Sequence, residues 1–323
     1  MVEFSSVLPQ KKAYVRSSSS AGFDVVRGRF VSLETWFLLA VLSAVLWGWS
    51  DIFAKLGTQK LGVTRIAVLV AIIDSSMYFV GFFFWHTSVA IGVGYAALAA
   101  ASSFAGIVAY LCFFESILEG QIATVGTISA AYPALAVAGG LLFLSESPTM
   151  IQLGGVVVII GGIIALSYER NPNSPHAMPK RSLFFALVAF ALFGFWSLSS
   201  KIAVGEIGPG NVFGFYVISA SIVPVLYVCF RRVRPRIQLL EFKPSWAAWI
   251  FGAMCLATNV IGTFVFSFAL VAGTAALVVP VANASVLITV IVAVLLLKEK
   301  LNRLQLIALF FIIGGLFAIG ITA

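Results

Sequence analysis

Few side chains in this sequence could do chemistry, and those few are set in long apolar runs. Asp74 follows Val70-Ala71-Ile72-Ile73 and precedes Ser75 and Ser76. A carboxylate at bilayer depth costs roughly 2.5–3.5 kcal/mol on insertion scales, so it is placed by default inside a helix bundle or beside water. That setting suits a group that takes up and releases a proton or holds a cation, with capping or pairing to a neighbouring helix as the plainer use. Trp47, Asp51 and Lys55 stand at i, i+4 and i+8 and so share one helix face, with Asp51 and Lys55 at the spacing of an intrahelical ion pair. An aromatic and two charges on one stripe suit a cavity wall. Lys55 and Lys201 also sit near the ends of their runs, where a lysine reaches the headgroups and complements the negative end of a helix.

Further candidates follow along the chain. Tyr110 and Glu115 lie late in the third run, with Glu119 beyond them at the connection. Tyr132-Pro133 and Pro280 fall inside apolar runs, where proline frees backbone carbonyls and permits kinks. Trp196 belongs to the sixth run, and Asn259 and Asn283 supply amides that can bond a substrate or a partner helix. Glu146 and Glu299 stand in short connections, each followed by Thr149-x-x-Gln152 or Asn302-x-x-Gln305, which have the spacing of helix-start capping boxes.

No catalytic constellation accompanies these residues. The two histidines, His86 and His176, fall in connections, and neither H-E-x-x-H nor G-x-S-x-G occurs. Cys112, Cys229 and Cys255 lie inside apolar runs without a C-x-x-C, so no disulfide framework, metal site or cofactor motif is indicated. The reading is therefore not an enzyme. A channel would carry a repeated filter segment or rings of charge, and none is visible.

The elements that position these residues are set by composition. The chain has 323 residues, 61% hydrophobic and 10% charged, against roughly 25% charged in a soluble domain, with a mean hydropathy of +1.08. Lipid is the natural solvent for such a chain, and the fold class is an all-α integral membrane protein. The net charge of +8 does not point to nucleic acid, because the basic residues sit in the connections, as topology determinants and headgroup contacts do. Apolar runs at about 36–56, 64–85, 94–117, 121–144, 149–168, 182–203, 211–230, 246–270, 274–297 and 303–321 predict ten transmembrane helices. Residues 1–35 form a polar, Ser-rich tail without an apolar signal core, read as disordered. Residues 169–181, with three prolines and mixed charges, form a linker between halves 36–168 and 182–321.

The halves are related. An offset of 153 aligns Gly120 with Gly273, Ala123 with Ala276, Glu146 with Glu299, Gln152 with Gln305, and Gly161-Gly162 with Gly314-Gly315. In the first runs the offset is 146, which matches Gly48 and Lys55 to Gly194 and Lys201 and puts Phe193 where Trp47 stands. Five crossings per half is an odd number, so the halves enter the membrane with opposite orientation: an inverted five-plus-five repeat around one central site. Connections after odd-numbered runs hold 14 of the 20 Lys and Arg, and the positive-inside rule then puts both termini outside.

Leu46 to Lys55 (LWGWSDIFAK), Glu119 to Ala134 (EGQIATVGTISAAYPA), Phe143 to Glu146 (FLSE) and Leu295 to Leu301 (LLLKEKL) resemble the EamA-like families of the drug/metabolite transporter superfamily. The resemblance covers about residues 36–321. It implies ten helices in an inverted repeat, both termini inside, and alternating-access transport of metabolites, often export of amino acids or their relatives. The expectation is a transporter of a cell (plasma or inner) membrane, with a small-molecule substrate, the lipid bilayer and a coupling proton as partners, as a monomer or homodimer. An importer or exchanger of sugar phosphates or nucleotide sugars is the alternative within that class, and a multi-pass receptor or channel is the alternative outside it.

Overall fold

A computed structural model describes residues 33–119, 128–167, 180–233, 244–297 and 303–322. The tail to residue 32, Gly120, Ala123, His176, Glu299 and Asn302 lie outside the described residues, as do the side chains of Lys55 and Glu119. Every regular element among the described residues is helical. In chain order they are α1 (Leu33–Leu61), α2 (Val63–Trp85), α3 (Val93–Glu119), α4 (Ile128–Phe143), α5 (Met150–Ser167), α6 (Lys180–Ile207), α7 (Pro209–Val233), α8 (Trp246–Ala272), α9a (Ala275–Asn283), α9b (Ser285–Leu297) and α10 (Arg303–Ile321). Among the described residues, eight helical stretches are long and apolar enough to cross a bilayer, and α4 and α5 are apolar but shorter. Large apolar side chains such as Phe84, Leu142, Phe310 and Phe317 cover the outside. That is the surface expected when the surrounding solvent is hydrocarbon.

The connections explain how such apolar helices start and stop. Gly62, between α1 and α2, has φ 74°, and Gly208, between α6 and α7, has φ 82°. Both turns need the left-handed region that glycine enters without strain, and the two residues are 146 positions apart. Thr149 and Gln152 form the reciprocal box their spacing predicts: Thr149 N donates to Gln152 Oε1 at 3.0 Å, and Gln152 N to Thr149 Oγ1 at 3.3 Å. Glu146 starts a helix too, but one in the other half. Its carboxylate oxygens accept from Ala275 N at 2.7 Å and Ala276 N at 2.8 Å, at the positive end of α9a. Lys201 closes the opposite kind of end, donating to the Leu270 and Gly273 carbonyls, each at 2.6 Å, where α8 finishes.

The helices pack as α1 against α8, α3 against α6, α2 against α7, α4 against α9a and α5 against α10. Contacts recur in reciprocal pairs. A Cβ on Gly48 would meet Ile288 at 2.6 Å and one on Gly194 would meet Leu135 at 2.6 Å. Gly194 follows Gly48 by 146 positions and Ile288 follows Leu135 by 153. Along α5 and α10, Gly155 faces Gly315 while Gly162 faces Ala308, so the two helices run antiparallel. Ser50 Oγ donates to the Cys255 carbonyl at 2.9 Å and Ser102 Oγ to that of Trp196 at 3.3 Å, one pair in each of the α1–α8 and α3–α6 contacts.

Candidate functional site

Asp74 lies in a single π turn, Val70–Asp74, that interrupts α2. Such a turn re-aims one side chain and widens the helix locally, and it is common at functional sites. The Asp74 side chain is 2% exposed, and its Oδ1 has no hydrogen-bond partner among the described residues. Tyr78, one turn later, Tyr110 of α3 and Cys255 of α8 are close enough to interact with it electrostatically. A buried acceptor without a donor is costly, which is why such groups are rare in native structures.

Asp51 of α1 reaches the same region from the other side. Its Oδ2 accepts from Thr289 Oγ1 of α9b at 3.1 Å, and Tyr110, Tyr132 and Cys255 lie within its electrostatic reach. Asp51 is solvent-accessible although these neighbours come from four other helices; its carboxylate therefore opens on a crevice in the bundle. Tyr110 OH sits 3.6 Å from Cys255 Sγ, and both groups lie within electrostatic reach of the two carboxylates.

Aromatic rings wall this polar centre. Trp47 lies 6.2 Å from Trp196 and 5.1 Å from Phe266, and Trp196 stacks on Phe266 at 5.3 Å. Trp196 Nε1 donates to the Tyr216 hydroxyl, and Tyr216 stacks on Tyr78 at 4.6 Å. Tyr132 continues the wall through Phe193 at 5.5 Å. Gly262 and Gly106 give the indoles room, since a Cβ there would meet Trp47 at 2.5 Å and Trp196 at 2.7 Å. The pairing of Trp47 with Trp196 departs from the repeat alignment, which sets Phe193 opposite Trp47. The partner indole stands three residues further on, one turn along the same side of α6.

Not every sequence candidate joins this centre. Trp47 Nε1 donates to the backbone carbonyl of Asn259 at 3.2 Å, so α8 is held there by its main chain and not by the amide. Asn283 Nδ2 donates to the Ala130 carbonyl at 2.8 Å and ties α9a to α4. Glu115 belongs elsewhere. It is 5% exposed, accepts from Tyr227 OH and Arg231, and pairs with Arg181 at 3.3 Å, beside a separate cavity between α3, α6 and α7. Sequence reasoning missed Tyr78, although Asp74 and Tyr78 stand at i and i+4; it also missed Cys255, Tyr216 and Thr289, which only long-range packing brings in.

Comparison with known proteins agrees with this architecture. The family model described as the EamA-like transporter family matches residues 34–168 and again 180–321. An uncharacterized protein of Methanocaldococcus jannaschii is 27% identical over 135 residues, 42% of this chain and 98% of that protein. A crystal structure of a protein aligns with 90% of this chain and 100% of its own at a TM-score of 0.71 and 15% identity, a likeness of fold.

Proposed function

The chain belongs to the EamA-like transporter family, and from that premise we propose that it exports a small, amino-acid-like or amphipathic metabolite by alternating access, coupled to protons at Asp74. The observation that carries the proposal is the Asp74 carboxylate, buried with an unpartnered oxygen beside tyrosines from α2 and α3. A membrane helix retains such a group at a cost, and proton relays are a frequent use. The second carboxylate, Asp51, lines an accessible crevice and offers a site for an ammonium group; the Trp47, Trp196 and Phe266 rings offer an apolar wall for the rest of the substrate. Exchange of phosphorylated compounds would call for cavity cations. Lys201 is committed to the end of α8.

Alternating access follows from ten crossings arranged as an inverted five-plus-five repeat, the reading we adopt. The reciprocal contacts at fixed offsets and the antiparallel run of α5 and α10 support it, as does a relative whose length is that of a single half. Two equivalent halves threaded in opposite directions can exchange conformations around a fixed site, opening it to one side and then the other. The test is flux in proteoliposomes of purified protein with amino acids and related amines as substrates. A pH gradient drives accumulation with the wild type and not with Asp74→Asn, while substrate counterflow at equal pH persists in the variant. Undiminished pH-driven accumulation by Asp74→Asn would remove the carboxylate from the coupling step.

A further inference from the structure

A second site lies away from this centre. Between α3, α6 and α7 is a cavity of about 600 Å³, within the range of roughly 300–1,000 Å³ typical of small-molecule sites. Its walls are apolar, with Leu111 and Val223 buried, Val108 half-buried, and Phe104 and Leu226 exposed on the outer surface. One end is ionic: Glu115 is shared between Arg231 and Arg181, and the Arg181 side chain keeps 42% of its exposure.

The cavity is not a requirement of the fold. The repeat offsets carry Glu115 forward 153 positions to Phe268, and Tyr227 and Arg231 back 146 positions to Gly81 and Trp85. There aromatic rings stand at the equivalent positions. Trp85 meets Phe264 and Phe268 at 5.7 Å each, and the absent side chain of Gly81 makes room for Phe264. One end of the molecule thus carries rings where the other carries an open cleft with charged groups at its rim. Among the described residues, Arg181 and Arg231 give this rim two cations against the one carboxylate of Glu115.

We propose that this cleft seats one anionic phospholipid, its phosphate at the accessible face of Arg181 beside Arg231 and an acyl chain along Val108, Leu111 and Leu226. An apolar trough that opens outward between membrane helices and ends in a basic rim matches a lipid in both parts: the chain stays in hydrocarbon while the phosphate meets guanidinium at headgroup level. A water-soluble anion would gain nothing from the trough.

Native mass spectrometry of the purified full chain, titrated with phosphatidylglycerol or phosphatidylcholine, tests this. Phosphatidylglycerol binds in preference to phosphatidylcholine, and Arg181→Ala weakens it about fivefold, the effect of one cation at a membrane surface. Val108→Trp fills the trough without touching a charge and removes the bound lipid while the melting temperature in detergent stays within a few degrees. Equal binding of the two lipids, undiminished binding by folded Val108→Trp, or displacement of phosphatidylglycerol by equimolar inorganic phosphate would each overturn the assignment. None of these readouts depends on transport, so the proposed export function stands or falls separately.

Discussion

Ser221 Oγ on α7 donates to Ser75 Oγ on α2 at 3.0 Å, and the two serines are 146 positions apart, the offset that matches Gly48 and Lys55 to Gly194 and Lys201. Asn283 likewise bonds to Ala130, the residue 153 positions before it. A residue that touches its own counterpart sits on the axis relating the two halves. On the proposed inverted repeat, α2–α7 and α4–α9a are therefore central contacts, shared equally by both halves.

The serine contact is open to a direct check. In a background without Cys112, Cys229 and Cys255, mild oxidation of the Ser75→Cys, Ser221→Cys double variant joins α2 to α7, because side-chain tips in contact put the two thiols within reach of a disulfide bond. With a protease site inserted in residues 169–181, the oxidised double variant stays one band on a non-reducing gel after cleavage, and each single variant falls into two. Two bands from the oxidised double variant would mean that the halves do not meet at these serines.

Neighbouring glycines on α5 should differ sharply. A Cβ on Gly162 would stand 2.6 Å from Ile312 and 3.1 Å from the Ala308 carbonyl, whereas one on Gly161 meets nothing within 4 Å. Gly162→Leu therefore forces α5 from α10 and costs about 1–3 kcal/mol, the usual penalty of overpacking. Gly161→Leu points outward and leaves stability within about 0.5 kcal/mol. Unfolding in mixed detergent micelles reads both, and equal losses in the two variants would contradict the packing of α5 on α10.

Glu146 tests a link between the halves. Its two bonds to Ala275 N and Ala276 N are charge-assisted and lie at a helix start, where such bonds contribute about 1.5–3 kcal/mol. Glu146→Ala should lower stability by that amount and raise amide hydrogen exchange at the start of α9a, leaving exchange in α2 and α7 unchanged. An exchange pattern identical to the wild type would show that α9a does not depend on this carboxylate.

Much of this was written in the sequence, and the reason is chemical. Runs of apolar residues have one stable arrangement in lipid, so element positions followed from hydropathy; the repeat followed from Gly, Glu and Gln at fixed offsets, which an apolar background does not generate. The 153 offset even names touching residues, as at Asn283 and Ala130. Site geometry was less legible. Asp74 declared itself by its cost in lipid, but Cys255 and Thr289 look like ordinary helix residues until α8 and α9b bring them beside Tyr110 and Asp51. Glu115 does line a cavity, but its partner Arg231 is 116 positions away, a separation over which sequence spacing carries no information. Glu146 stands just before the Thr149–Gln152 box and yet serves a helix of the other half, since spacing cannot tell which start a carboxylate will reach.

The same gap between alignment and geometry decides which aromatic of α6 matters. Alignment nominates Phe193 as the counterpart of Trp47, but the ring that packs against Trp47 and Phe266 and also donates to Tyr216 is Trp196. Tyr216 stacks on Tyr78, one turn after Asp74, so the indole N–H is the far end of a chain of contacts leading to the unpartnered carboxylate. Trp196→Phe keeps a ring in the wall yet removes the indole donor from the Tyr216 hydroxyl, which Ser200 also reaches, a loss worth about 0.5–1.5 kcal/mol. In proteoliposomes Trp196→Phe should slow pH-driven flux, Trp196→Ala should slow it further, and Phe193→Ala should leave most of it, because Phe193 packs edge-on at 73° to Trp196 and 5.5 Å from Tyr132 without a polar contact of its own. If Phe193→Ala were the more damaging change, the alignment would have named the working residue and the contacts of Trp196 would be packing alone.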